Sequence, residues 1–334
     1  MNYKISVIIP VYNGANYIEE CIGSLQDQTI GFENIEVILV DDNSKDNSKD
    51  VINKLTEQYS NIKSIFLKNN TGTASGPRNE GILNAQSDYI MFLDMDDYYY
   101  PNMCEKMYET ITKEGVDVVS CRYTMGTKED YSKVKNYFFD TKSHFIKVDD
   151  VNELPEILSL GFSTMIWTKL FRKKSILNNN IEFPVGDLYE DVYFTSKFYL
   201  HAKGIVLLTD FYGYGYHVRR DGDQSFSQKF SENMYNRQFS GFKKVIDLIG
   251  NDFNMMKSEI IIDMTKIFLY TKLDDIKTKE FIDYIKPLYG SYKITTRVGT
   301  TNIIFNIVIN IFIKIFSLNC GFLKLLKLLL NRIT

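Results

Sequence analysis

Apolar and polar positions alternate in blocks along the first hundred residues. Lys4-Ile-Ser-Val-Ile-Ile-Pro10 is a short apolar run closed by a proline, which predicts a buried strand ending at Pro10. Ile18, Cys21, Ile22 and Leu25 then share one face of a helix over 17–28. Ile35 to Val40 is a second strand that discharges into Asp41-Asp42-Asn43-Ser44, with a helix from about Asp46. A third strand over 62–67, a helix over 77–85 and a fourth strand over 89–93 repeat the alternation. Strands and helices in turn predict an α/β domain, its mostly parallel sheet covered by helices on both faces.

Beyond that, the pattern weakens between Asp117 and about Asp150 and returns at Ser163–Arg172. A helix opened by Glu190-Asp191 continues through Phe194, Phe198 and Tyr199. Residues 228–290 read as further helices, with Phe239, Phe242, Val245, Ile246 and Ile249 as apolar positions. A catalytic domain over 1–225 (halves about 1–100 and 101–225), a helical region over 226–300 and a tail over 301–334 follow.

In such sheets ligands bind beyond the carboxyl ends of the strands. The polar clusters occupy those ends: Tyr12-Asn13 after the first strand, Asp41-Asp42 after the second, Asp94, Asp96 and Asp97 after the fourth. Three carboxylates within one turn repel and raise each other's pKa unless a cation sits among them. Mn²⁺ or Mg²⁺, which take oxygen ligands and bridge to phosphates, would suit. A solvated acidic turn is the alternative. The loop Asn69–Asn79 places Gly76 before Pro77 at a helix start, with Pro at the first helical position. There a backbone open to close approach and the Arg78 donors would receive a diphosphate; a well-capped surface loop with a structural Arg is the plain reading.

Composition narrows the classes. A chain of 334 residues holds one large domain with an appendage, or two domains. Its formal charge of -3 argues against nucleic-acid binding. Four scattered cysteines suggest reduced thiols in the cytosol, and no signal peptide is expected before the first strand.

Pro10-Val-Tyr-Asn13, Val40-Asp-Asp-Asn-Ser44, Gly72-x3-Gly76-Pro-Arg-Asn-x-Gly81 and Phe92-Leu-Asp-Met-Asp-Asp97 occur in one order and spacing. Together they resemble the family 2 glycosyltransferases of bacterial cell-surface polysaccharide synthesis, over roughly residues 4–220. The resemblance implies a GT-A fold, a Rossmann-like mostly parallel sheet, with a C-terminal helical extension. It implies that Pro10, Tyr12 and Asp42 surround a uracil-type base and that Arg78 lies near the base or diphosphate, with Asn13 and Gly76 in the same nucleotide-sugar site. Asp94 and Asp96 would contact ribose and metal, and Asp97 would share the metal. Met95 stands where a small residue is commoner, which bears on the sugar pocket.

The same resemblance reaches the middle of the chain. Trp167 is the only tryptophan, beside Lys169 and Arg172; it reads either as a core aromatic or as a sugar platform, and the resemblance favours the acceptor cleft. Glu190 and Asp191 in a first helical turn suit the helix dipole on their own, whereas the family's ED pair implies Asp191 as catalytic base. Tyr214-Gly-Tyr-His-Val-Arg-Arg, followed by Ser225, resembles a loop that closes over the diphosphate. His217 stands there for a more usual Arg, and Arg219, Arg220 and Ser225 remain; His217 reads either as a metal or phosphate contact or as a structural residue.

The implied reaction is inverting transfer from a nucleotide sugar, a UDP-sugar in this reading, to a hydroxyl of a saccharide or lipid-linked saccharide. A nucleotidyltransferase would put a Gly-rich, Arg-containing loop after the first strand, and an aspartyl phosphatase its DxD there; a nucleotide-binding scaffold would lose an acidic motif. In the tail, Asn302, Asn306, Asn310 and Lys314 recur every four residues on an otherwise apolar helix, and Phe322–Leu330 repeats the pattern. Each segment falls short of the about 20 residues of a bilayer span. In-plane binding to the inner face of the cell membrane is expected, with a helical hairpin packed on protein as the alternative.

Overall fold

The computed structural model describes residues 3–126, 145–148, 165–218, 232–250, 260–261, 264–265, 267–268 and 274–290. The chain divides into two compact units, Met1–Glu153 with Phe162–Gln224, and Leu154–Gly161 with Ser225–Thr334.

The first unit starts from two wholly buried strands, β1 (Ile5–Val11) and β2 (Ile35–Asp41). They pair in parallel from Ile5↔Ile35 to Val11↔Asp41. Burial on both faces explains their continuous apolar runs. Pro10 does not end β1, because the strand runs one residue further. Glu36 is buried inside β2, where it accepts bonds from Ser6 Oγ (2.5 Å) and the Gln86 N–H (2.7 Å) and pairs with Lys63. β3 (Ile62–Phe66) forms the partly exposed edge, and β4 (Tyr89–Phe92) lies on the other side of β1, both parallel. Helices α1 (Ile18–Gln26), α2 (Ser48–Gln58) and α3 (Ser75–Asn84) link these strands. α3 begins at Ser75, so Pro77 sits third in the helix rather than first; its missing N–H still belongs to a first turn with no intrahelical acceptor.

The sheet then turns mixed. β5 (Tyr98–Tyr99) and α4 (Met103–Glu114) lead to β6 (Val118–Gly126), β7 (Phe145–Val148), β8 (Lys169–Arg172), α5 (Lys173–Asn178), α6 (Glu190–Tyr199) and β9 (Ile205–His217). The strand order is β3-β2-β1-β4-β8-β6-β9-β5, with β7 on β9. β8 runs antiparallel to both β4 and β6, while β6 and β9 are parallel with register shifts near Arg122. The stretch without clear periodicity thus opens with a nine-residue strand, and Tyr214–His217, expected in a loop, ends the longest one. In the second unit, α7 (Glu232–Ile249) buries Phe239, Phe242, Val245, Ile246 and Ile249 on one stripe, and α8 (Asp275–Gly290) buries Phe281 and Ile285.

Candidate active site

Loops at the carboxyl ends of β1, β2 and β3 are sewn together. Asn13, at φ 51°, donates its N–H to Ser44 Oγ (2.9 Å) and accepts from the Lys45 N–H (2.8 Å). The Gly14 N–H donates to Ser48 Oγ (2.8 Å). Asp42 is buried, and its carboxylate accepts from the N–H and hydroxyl of Thr71 (2.9 and 3.0 Å). Burial raises its pKa against those bonds. Pro10 is buried within β1, whereas Tyr12 stands 45% exposed at the mouth.

Gly76 is small for a reason inside the protein. A Cβ there would lie 2.5 Å from Thr71 Cγ2, so the glycine lets the β3–α3 loop fold onto its own helix. Gly14 does the same for Met95, whose Sδ occupies the place of a Cβ. That pairing puts the half-buried Met95 against the first loop. Gly14 carried no role in the sequence reading, although two small or flexible residues facing each other after β1 and β4 was the available signal.

The three aspartates after β4 have different surroundings. Asp94 keeps 29% of its side-chain surface and pairs with Arg78 at 2.9 Å. Asp96 is half-buried and lines a small pocket with Tyr17, Glu20, Cys21, Asp97, Tyr98 and His217. Asp97 borders the same pocket but is 3% exposed, and its two oxygens accept from the Tyr214 hydroxyl (2.6 Å) and the His217 N–H (2.8 Å). Burial, then the charges of Asp96 and Asp94, hold its pKa well above the carboxylate range. Tyr214, absent from the sequence-derived site, thereby anchors β9 to the acidic motif, and its only sequence signal was an aromatic before Gly215.

On the other side of Arg78, α6 opens after Tyr189, a bulky residue at φ 71°. That left-handed conformation costs about 1–2 kcal/mol, and it aims Glu190 and Asp191 at Arg78. Asp191 Oδ1 accepts from Arg78 Nη1 at 2.7 Å, and Glu190 lies at 3.5 Å from the same nitrogen. Asn79 fastens the approach to α6, donating to the Phe183 carbonyl and accepting from the Phe183 N–H, both at 2.9 Å. Burial pushes the Asp191 carboxyl up to about 7, against the pull of Arg78, although 26% of its side-chain surface stays open.

Trp167 and Lys169 wall the site from behind. Trp167 is 6% exposed, stacked on Tyr214 at 4.3 Å and edge-on to Tyr123 at 4.9 Å, which is the core-aromatic alternative rather than an open platform. Lys169 is fully buried, donating to the Met165 carbonyl (2.6 Å); burial lowers its pKa to about 7, against nearby Cys121 and Asp191. His217 is half-buried beside Tyr17, ring centroids 6.4 Å apart. Arg219, Arg220 and Ser225 lie outside the described residues.

A sheet of this order, with carboxylates converging at its strand ends, has the architecture of an α/β protein that takes its ligand at those ends. The Glycosyl transferase family 2 model matches residues 6–176, and the chain belongs to that family. It is 35% identical over 237 residues to the poly(ribitol-phosphate) beta-glucosyltransferase of Bacillus spizizenii, covering 70% of this chain and 35% of that protein. To the glycosyltransferase GlyG of Streptococcus pneumoniae it is 30% identical over 300 residues, 85% of this chain and 94% of that one. It thus spans about a third of the first relative and nearly all of the second. The crystal structure of S. aureus TarS 1-349 in complex with UDP-GlcNAc shares the fold, with TM-score 0.66 and 24% identity over 86% of this chain and 80% of that one. The GT-A architecture expected from the motifs is the one found.

Proposed function

We propose that the chain moves a hexosyl or N-acetylhexosaminyl group from a UDP-sugar to a hydroxyl of a cell-surface saccharide or polyol polymer, with inversion. Relatives named for poly(ribitol-phosphate) transfer and a fold neighbour holding UDP-GlcNAc support the donor and acceptor classes. The observation that carries the mechanism is Asp191, with 26% of its side-chain surface open and one guanidinium away from Asp94 of the acidic motif. Pro10, Tyr12, Asn13 and Asp42 form the nucleotide end in this reading, and Met95 borders the sugar.

The acceptor oxygen attacks the anomeric carbon as its proton passes to an Asp191 carboxylate oxygen. The bond from that carbon to the diphosphate oxygen breaks, and the nucleoside diphosphate leaves with the electron pair. A carboxylate with a pKa near the working pH is well placed to accept that proton. Attack from the face opposite the diphosphate inverts the configuration.

A divalent ion fits the residues in a limited way. Among the described residues no three of His, Cys, Asp and Glu gather as a metal cage. The pocket at Asp96 instead offers the sparse oxygen ligation that Mg²⁺ or Mn²⁺ accepts when phosphates complete its shell. Asp96 would hold the ion, with Asp97 and His217 among the residues lining the same pocket. Bound there, the ion would neutralise charge on the departing diphosphate.

Thermal unfolding with a panel of nucleoside diphosphates and UDP-sugars, with and without Mn²⁺, tests the donor. A metal-dependent rise with UDP is expected; no rise with any nucleotide removes the reading. Residues 301–334 lie outside the described residues; from their sequence pattern alone we propose that they bind the inner face of the cell membrane.

A further inference from the structure

We propose that Arg78 is a positioning residue that holds the base Asp191 and the donor-side Asp94 on one guanidinium, so that both halves of the reaction share a single buried cation. The inference rests on the reading of Asp191 as base. The two terminal nitrogens divide the work: Nη2 bonds Asp94 at 2.9 Å, and Nη1 bonds Asp191 at 2.7 Å with Glu190 at 3.5 Å. Arg78 is 4% exposed, and its guanidinium lies over the Phe183 ring at 5.5 Å. These contacts join three separate pieces of chain: α3, the turn after β4, and the first turn of α6.

The neighbouring Asn79 clamps the backbone of Phe183 in both directions. One helical turn therefore fixes the α6 approach by main-chain bonds and its acid pair by charge. A planar fork can serve two carboxylates at once, where an ammonium is a point charge. The groups around Asp191 are Arg78 from α3, Glu190 from its own helix, Asp94 from the β4 turn and Lys169 from β8. Arg78 opposes burial more strongly than Lys169 does, and burial would lower its own basicity were Asp191, Asp94 and Glu190 not holding it above its ordinary value. Without Arg78, three carboxylates would face one another, and a protonated Asp191 accepts no proton from the acceptor.

The test is carboxyl ¹³C NMR of the full chain, with Asp191→Asn identifying the Asp191 signal, titrated in the parent, Arg78→Lys and Arg78→Gln. The Asp191 midpoint should rise by about one pH unit in Arg78→Gln, a tenfold change in proton affinity, and by less in Arg78→Lys. If Arg78→Gln fails to fold, Arg78→Lys carries the test with the same direction. An unmoved midpoint in the variants that fold overturns the proposal, even where activity is lost. Turnover by Asp191→Asn would instead remove the base assignment and leave the titration result standing, so the two failures are separable.

Discussion

Asp191 is asked to be charged in a place that disfavours charge. Burial lifts its carboxyl from the ordinary 3.8 to about 7, so its contribution to stability is fully present below the unfolded value and is lost as pH rises through about 7. Asp191→Asn removes that cost. Its Tm relative to the parent should therefore improve as pH rises from about 4 to 8, and a constant Tm difference across that range would contradict the burial argument. The same variant should lose transfer by about a thousandfold or more while UDP binding stays within a few fold. In the parent, kcat should fall as pH drops below about 7, since protonation removes the acceptor of the proton.

At the level of elements, the site depends on how closely α3 approaches β1. A Cβ at Gly81 would run into Ile8, so Gly81→Ala should cost about 1–3 kcal/mol by overpacking, despite alanine's better helix propensity; chemical denaturation reads this directly. Asn79→Ala leaves the Phe183 N–H and carbonyl without their partners, at a cost of about 1–3 kcal/mol. Because those bonds hold the approach to α6 and none reaches the nucleotide loops, kcat should fall more than the affinity for UDP. An equal loss of both would place Asn79 in the donor site instead. Sequence periodicity located α6 at Glu190 because its first turn carries both an acid pair and the start of an apolar stripe. It missed β6 and β9, which pair across about ninety residues, with aromatics and glycines where alternation would have shown.

For the whole molecule, ligand binding and membrane attachment are separate measurements. UDP with Mn²⁺ at one hundred times its Kd should stabilise the first unit by about 2.7 kcal/mol, a rise of several degrees that a chelator should largely remove. Deleting residues 301–334 should move the protein from the membrane fraction to the supernatant; persistence in the membrane fraction would assign attachment elsewhere. The two outcomes are independent, since the proposed nucleotide-sugar residues Pro10 to Asp96 lie far along the chain from the tail.

The sequence by itself determined the order of strands and helices in the first hundred residues and the carboxylates at their ends. Those are local facts: burial on both faces demands continuous apolar runs, and polar groups gather where a parallel sheet opens to ligand. It also singled out Asp191, through likeness to a family pattern. What only the tertiary structure decided is how those charges are shared. Asp97 turns inward to Tyr214 and His217, Trp167 stacks within an aromatic wall, and Arg78 joins carboxylates lying 16 and 113 residues away. Charges in a buried cluster choose partners by distance in space, and that distance is set by strand pairing and helix packing which no local pattern encodes.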